Sequence, residues 1–210
     1  CYNKTYVTQH MLLIGVNSVP PAQKFSRNDI IKTAINLLRK EGIEGITARS
    51  LGSELGTSSR PIFTAFKNMK EVHDETVLAV RAMYNSYVEE GLAEEPAFKG
   101  VGKQYIRFAK EEPRLFELLF MKAGEKPFTL ENVLPAIDDN SERILASIQI
   151  PYGLSKEQSY RLYQNTWIFT HGIACLYATG VCTLSEDEVS NRLTEAFTGL
   201  LIKMKSEGKK

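Results

Sequence analysis

Proline 61 interrupts an apolar pattern that otherwise reads as helix. Around LGTSSRPIFTAF, residues 55–66, Leu51 and Leu55 lead in, and Ile62, Phe63 and Phe66 follow at three- and four-residue spacing. A proline inside a helix costs about 3 kcal/mol, because it removes a hydrogen bond and its ring clashes with the preceding turn. In a first turn that penalty disappears, since the missing N–H would have had no intrahelical partner. The flanking residues select this placement. Thr47 suits the cap of a short helix containing Ala48, Leu51 and Leu55, Gly56 supplies a left-handed stop, and Thr57 or Ser58 can cap the next helix. Arg60, immediately before the proline, is then the most constrained position of the turn. The spacing predicts two short helices joined by a tight glycine turn.

The rest of the chain is also helical in pattern. Residues 1–24 hold no sustained period, contain Pro20–Pro21 and read as an N-terminal arm. Ser26 opens a Ser-x-x-Asp capping box, and Ile31, Ala34, Ile35 and Leu38 follow up to Gly42. Asn68, with Glu71 three residues on, caps a long helix through Val72, Val80, Tyr84 and Val88 that is expected to end at Gly91. Phe98, Val101, Tyr105, Phe108 and Ala109 share one face, and Pro113 starts a helix with Leu115, Leu118 and Leu119. Further helices are expected over Val133–Ile148 (with Leu134, Ile137, Ile144 and Leu145 inward), Ser155–Val181 and Glu186–Lys205. The second of these is apolar on most sides, and such a helix must be covered on more than one face. No alternating run is long enough for a strand. The expectation is an all-α protein of about nine helices.

Charge divides the chain. Residues 24–70 hold nine Lys or Arg against four acids, a net +5, while residues 71–210 hold 16 against 21, a net −5. A basic N-terminal block on an acidic body suits a protein that meets a polyanion through its first part only. The apolar run MLLIGV, residues 11–16, is too short to span a bilayer and lacks a basic lead-in, so a cytoplasmic protein without membrane partners is expected. Cys175 and Cys182, placed seven apart in one helix, would lie about 10 Å from each other, beyond disulfide reach, and read as buried small side chains. His10, His73 and His171 have no cysteine or carboxylate at metal-ligand spacing, so neither metal nor cofactor is expected. Asp138 and Asp139, beside Asn140, read as a solvated helix face.

A helix, a glycine turn and a second helix that opens with serines and an arginine suit a helix-turn-helix that reads DNA. The stretch ITARSLGSELGTSSRPIFTAFKNMKEV resembles the N-terminal domain of the TetR family of transcriptional regulators. Ile46 and Thr47 match the opening of the family's second helix, Ser58 the start of its third, and Phe63 and Phe66 its aromatic pair. Two positions depart from the family pattern: Phe63 replaces the usual Tyr and Met69 the usual Lys, both commonly phosphate contacts. Lys67 and Lys70 flank the second gap. The resemblance implies DNA-facing roles for Thr47, Ser58, Arg60 and Thr64, and Ser59, Lys67 and Lys70 join the candidates, the two lysines by proximity to the second gap. It divides the chain into the arm 1–24, a three-helix DNA-binding domain over 25–72 and an effector-binding and dimerisation domain over 73–210.

In the second domain, YIRFAKEEPRLFELLF and WIFTHGIACL resemble TetR-type ligand-binding domains that carry Trp and His-Gly on the penultimate helix. The resemblance implies a homodimer whose last two helices form a four-helix bundle, with Ile173, Ala174, Tyr177, Phe197, Leu200 and Leu201 as interface candidates. Phe108, Phe120, Tyr163, Trp167 and His171 are candidates for an effector pocket, although His171 as a satisfied buried histidine is the plainer reading. The function expected is a repressor that a small, largely apolar effector releases from an operator in double-stranded DNA. An architectural DNA-binding protein would leave some 130 helical residues without a task. An enzyme is disfavoured by the absence of a Gly-x-Ser-x-Gly, a Walker loop or a Cys with a credible His partner.

Overall fold

The computed structural model describes residues 25–122, 129, 133–134 and 138–207. The arm 1–24 and Ile137 lie outside the described residues, within which every regular element is helical. The elements are α1 (Arg27–Glu41), α2 (Ala48–Glu54), α3 (Arg60–Ala65), α4 (Met69–Leu92), α5 (Ala97–Glu111), α6 (Pro113–Phe116), α7 (Ser141–Tyr152), α8 (Lys156–Ala178) and α9 (Glu186–Glu207). A 3-10 turn, Ile43–Gly45, precedes α2, and α6 runs on into a π-helical turn, Glu117–Met121.

Local signals place the first helices. Ser26 Oγ accepts from Asp29 N at 3.1 Å while Asp29 Oδ2 accepts from Ser26 N at 2.9 Å, closing the box that starts α1. Thr47 caps α2 through Ser50 N at 3.1 Å, and Gly56, at φ +63°, turns the chain toward α3. Pro61 occupies the first turn of α3, as the sequence requires. The cap differs in detail, because Ser59 precedes the helix without a side-chain bond and Ser58 Oγ reaches Arg60 N only at 3.4 Å. Asn68 Oδ1 accepts from Glu71 N at 3.0 Å and starts α4. Ile30, Ala34, Leu38, Leu51, Ile62 and Phe66 bury the inner faces of this triplet.

Four expectations need correction. Gly91 does not end α4; it is buried where α4 crosses α5, and a Cβ built there would stand 2.6 Å from Val101 Cα. The helix expected over 133–148 is interrupted, because residues 138–140 leave helical geometry before α7 begins at Ser141. The penultimate helix stops at Ala178, so Cys182 lies beyond it and is exposed rather than buried. Asp138 is not on a solvated face but 5% exposed.

The body is built around α5, which packs along α4 on one side and α8 on the other, with α9 closing over α5 and α8. Its aromatic interior links Tyr84, Tyr105, Phe108, Phe116 and Phe120 through tilted and edge-to-face contacts, with ring centroids 4.9–6.5 Å apart. No helix among the described residues is long and apolar enough to cross a membrane.

Candidate functional site

Two regions carry the chemistry. The first is the outer face of α2 and α3. Of the candidate DNA-facing set, Thr47, Ser58, Arg60, Thr64, Lys67 and Lys70 are exposed and Ser59 is half-buried. These residues are not equivalent. Arg60 and Lys67 form no ion pair among the described residues, whereas Lys70 Nζ is held by Asp74 Oδ2 at 2.6 Å. Thr47 is engaged in capping, and Thr64 Oγ1 donates to Arg60 O at 3.0 Å. Phe63, 52% exposed, adds a bare aromatic to the same helix, while Phe66 turns inward. Arg49, on α2, is a further exposed cation without an ion pair among the described residues, and it was not among the candidates read from the sequence.

The triplet is clamped to the body. Arg27 of α1 donates to Ala65 O at the end of α3 at 2.6 Å, to Glu71 Oε1 of α4 at 2.7 Å and to Glu75 one turn further on. Its guanidinium lies 4.1 Å from the centre of the Phe66 ring. Arg39, also on α1, grips Glu112 after α5 with two parallel bonds of 2.8 and 2.6 Å. Bonding to Arg27 holds the Glu71 carboxyl below the usual carboxylate range, and bonding to Glu112 raises Arg39.

The second region is a cavity of about 320 Å³ between α4, α5, α7, α8 and α9. That is the lower end of the range for small-molecule sites. Of the residues read from the sequence as effector-pocket candidates, Tyr163 and Trp167 line it, whereas Phe108, Phe120 and His171 do not. Those three belong to the aromatic interior behind the wall. There His171 Nδ1 stands 2.9 Å from Tyr105 Oη and its Nε2 3.4 Å from Cys175 Sγ, and burial pulls its pKa down. His171 is therefore the satisfied histidine of the plainer reading. Trp167, stacked on His171 at 5.1 Å and 20°, keeps a buried Nε1 with no hydrogen-bond partner among the described residues.

The wall residue that sequence reasoning missed is Asp138. Its Oδ2 accepts from Tyr84 Oη at 2.8 Å and its Oδ1 from Asn140 N at 2.8 Å. Burial pushes its carboxyl above the usual carboxylate range, against the opposing effect of those two bonds and of the Asn140 side chain. Burial also raises the phenols of Tyr84, Tyr105 and Tyr163, and the nearby Asp138 charge adds to each. Nothing in the run Asp138-Asp139-Asn140 distinguished this carboxyl from a surface one.

Of the interface candidates, Ile173 and Ala174 are buried inside the protomer and Phe197 faces the cavity. Tyr177 donates to Leu184 O within the chain, and Leu200 and Leu201 are half-buried. The bare apolar face of α8 is instead Ile168, Phe169 and Leu176, and α9 adds Ile202. Gly172 and Gly199 stand on the same helices with open space where a side chain would be.

Comparison with known proteins agrees with this architecture. Residues 98–199 match the family model described as the tetracyclin repressor-like C-terminal domain. A helix-turn-helix-type transcriptional regulator of Mycobacterium tuberculosis, itself uncharacterised, is 24% identical over 174 residues, covering 80% of this chain and 77% of that protein. The crystal structure of a protein described as a TetR-family transcriptional regulator from Mesorhizobium loti superposes with a TM-score of 0.53 at 17% identity, covering 84% of this chain and 95% of that one. The matched C-terminal domain, the helix-turn-helix relative and the shared fold agree with the helix pair set by Pro61 and Gly56, and together they support a TetR family regulator.

Proposed function

We propose that the protein is a homodimeric repressor that binds an operator through α3 and is released by a small molecule held in the cavity. The observation that carries this reading is the run of α4. Its first turns hold Arg27 through Glu71 and Glu75, Arg27 in turn holds the end of α3, and Tyr84, about 14–20 Å further along the same helix, lines the cavity. A ligand that moves Tyr84 therefore acts on a rod whose other end sets the position of α3. The Arg39–Glu112 fork supplies a second link, because α5 lines the cavity and Glu112 follows its last residue.

Arg60, Arg49 and Lys67 supply unpaired cations for phosphates or base edges, with Thr47, Ser58, Ser59, Thr64 and Lys70 around them. Two copies joined through the bare face of α8 and α9 would present two α3 helices to successive major grooves, about 34–36 Å apart. The ligand must bind the released form more tightly than the DNA-bound form, and DNA must weaken ligand binding by the same factor. The cavity also favours this reading over an architectural role, which has no use for one.

The test is fluorescence anisotropy with DNA from upstream of the protein's own gene and with a shuffled duplex, at two salt concentrations. Specific binding tighter than non-specific by about a thousandfold or more is expected. Absence of binding to either duplex at low salt would sink the proposal.

A further inference from the structure

The cavity wall holds a buried carboxyl, Asp138, that has no basic partner among the described residues. Asp138 is 5% exposed, and its hydrogen bonds come from neutral groups, the Tyr84 hydroxyl and the backbone and side chain of Asn140. No Lys, Arg or His side chain pairs with it among the described residues. Buried carboxylates are ordinarily paired, because neutral hydrogen bonds only partly replace the lost hydration.

The other charged groups nearby do not supply the missing partner. Asp139 adds negative charge on the same turn, and Arg81 of α4 approaches Asp139, at 3.9 Å. Lys99 also lines the cavity, six residues before Tyr105 and about 9 Å from it along α5, but it forms no ion pair with Asp138 among the described residues. Apart from four threonines, the remaining walls are aromatic or apolar: Phe98, Tyr152, Tyr163, Trp167 and Phe197 supply ring surface. Ring faces and an unpaired carboxylate favour the same kind of ligand, since both attract a cation.

We infer that the effector is an organic cation, a protonated or quaternary amine on an apolar body, whose charged head meets Asp138 while its body lies among the aromatic walls. This deepens, and rests on, the reading of the cavity as the effector site. The bound cation favours the ionised carboxyl and replaces the water that burial removed.

Three probes of one shape separate the possibilities: 4-phenylbutylamine, 4-phenylbutan-1-ol and 4-phenylbutyrate, which are cationic, neutral and anionic at neutral pH. Binding to the full chain is followed by calorimetry and by quenching of Trp167, the single tryptophan. The amine is expected to bind about ten- to a hundredfold more tightly than the alcohol. Asp138→Asn should reduce that ratio to near one while the alcohol's affinity is retained, and Lys99→Ala should leave it intact. Equal affinity of amine and alcohol for the unmodified chain would overturn the cation inference and leave the cavity as an effector site. Tightest binding of the butyrate would overturn it too, and would assign the charge preference to Lys99. Failure of all three to bind would overturn the cavity reading itself, and the inference with it. The amine-to-alcohol ratio is read on the unmodified chain, so the test survives if Asp138→Asn fails to fold.

Discussion

Residues 25–67 and the body from α4 to α9 are both helical, yet they are organised on opposite terms. The triplet is compact, with helix ends fixed by neighbours three residues away: Ser26 with Asp29, Thr47 with Ser50, and the Gly56 turn ahead of Pro61. It turns exposed, unpaired cations outward. The body closes a cavity of about 320 Å³ and buries a carboxyl in its wall, with α4 and α5 pressed backbone to backbone at Gly91 and Gly100. In one region a short sequence window settles the structure. In the other, segments more than fifty residues apart must meet before a side chain's role exists, as Tyr84 and Asp138 do.

Breaking the body should have the largest effect. At Gly91 a Cβ would meet the Val101 Cα at 2.6 Å and its N at 2.7 Å, and neither atom can rotate away. Gly91→Val should destabilise the protein by about 2–4 kcal/mol in urea unfolding. A change below about 0.5 kcal/mol would mean that α4 and α5 separate freely, removing the contrast drawn above.

The bare face of α8 sharpens the comparison next. Phe169 is 39% exposed beside the open Gly172, and a charge there would be stranded in the proposed dimer interface. Phe169→Glu should convert the dimer to monomer in sedimentation at micromolar concentration while leaving the helical signal unchanged. A variant that stays dimeric would move the interface away from α8.

Smallest for stability, though not for function, is Arg60→Ala. Arg60 is exposed and unpaired among the described residues, so the folding midpoint should not move, while operator affinity should fall by about 1–3 kcal/mol if it contacts a base. Unchanged anisotropy would remove Arg60 from the reading surface.

The same division explains what could be read in advance. Pro61 in a first turn, the Ser26 box, the Asn68 cap and the Gly42 and Gly56 stops are short-range facts, and each appears where expected. Gly91 was expected as a helix stop, because a glycine late in an apolar stripe marks a helix end unless something presses against it; here α5 does. His171, Phe108 and Phe120 were pocket candidates by residue type, but whether an aromatic faces a void or another ring depends on which helix stands opposite. The choice of Ile173 and Ala174 for the interface failed for the same reason, since a helix apolar on nearly all sides does not announce which side faces its own core.

By itself the sequence determined the helical class, the ends of the early helices, the basic N-terminal block and the likeness to TetR regulators, because capping, turn chemistry and periodicity act within a few residues. Only the tertiary structure decided that Asp138 lies in a cavity wall, that Gly91 is a crossing point, and that Ile168, Phe169, Leu176 and Ile202 form the uncovered face. Burial, and the loss of hydration that gives a carboxyl or an aromatic its chemistry, depends on what the rest of the chain places against it.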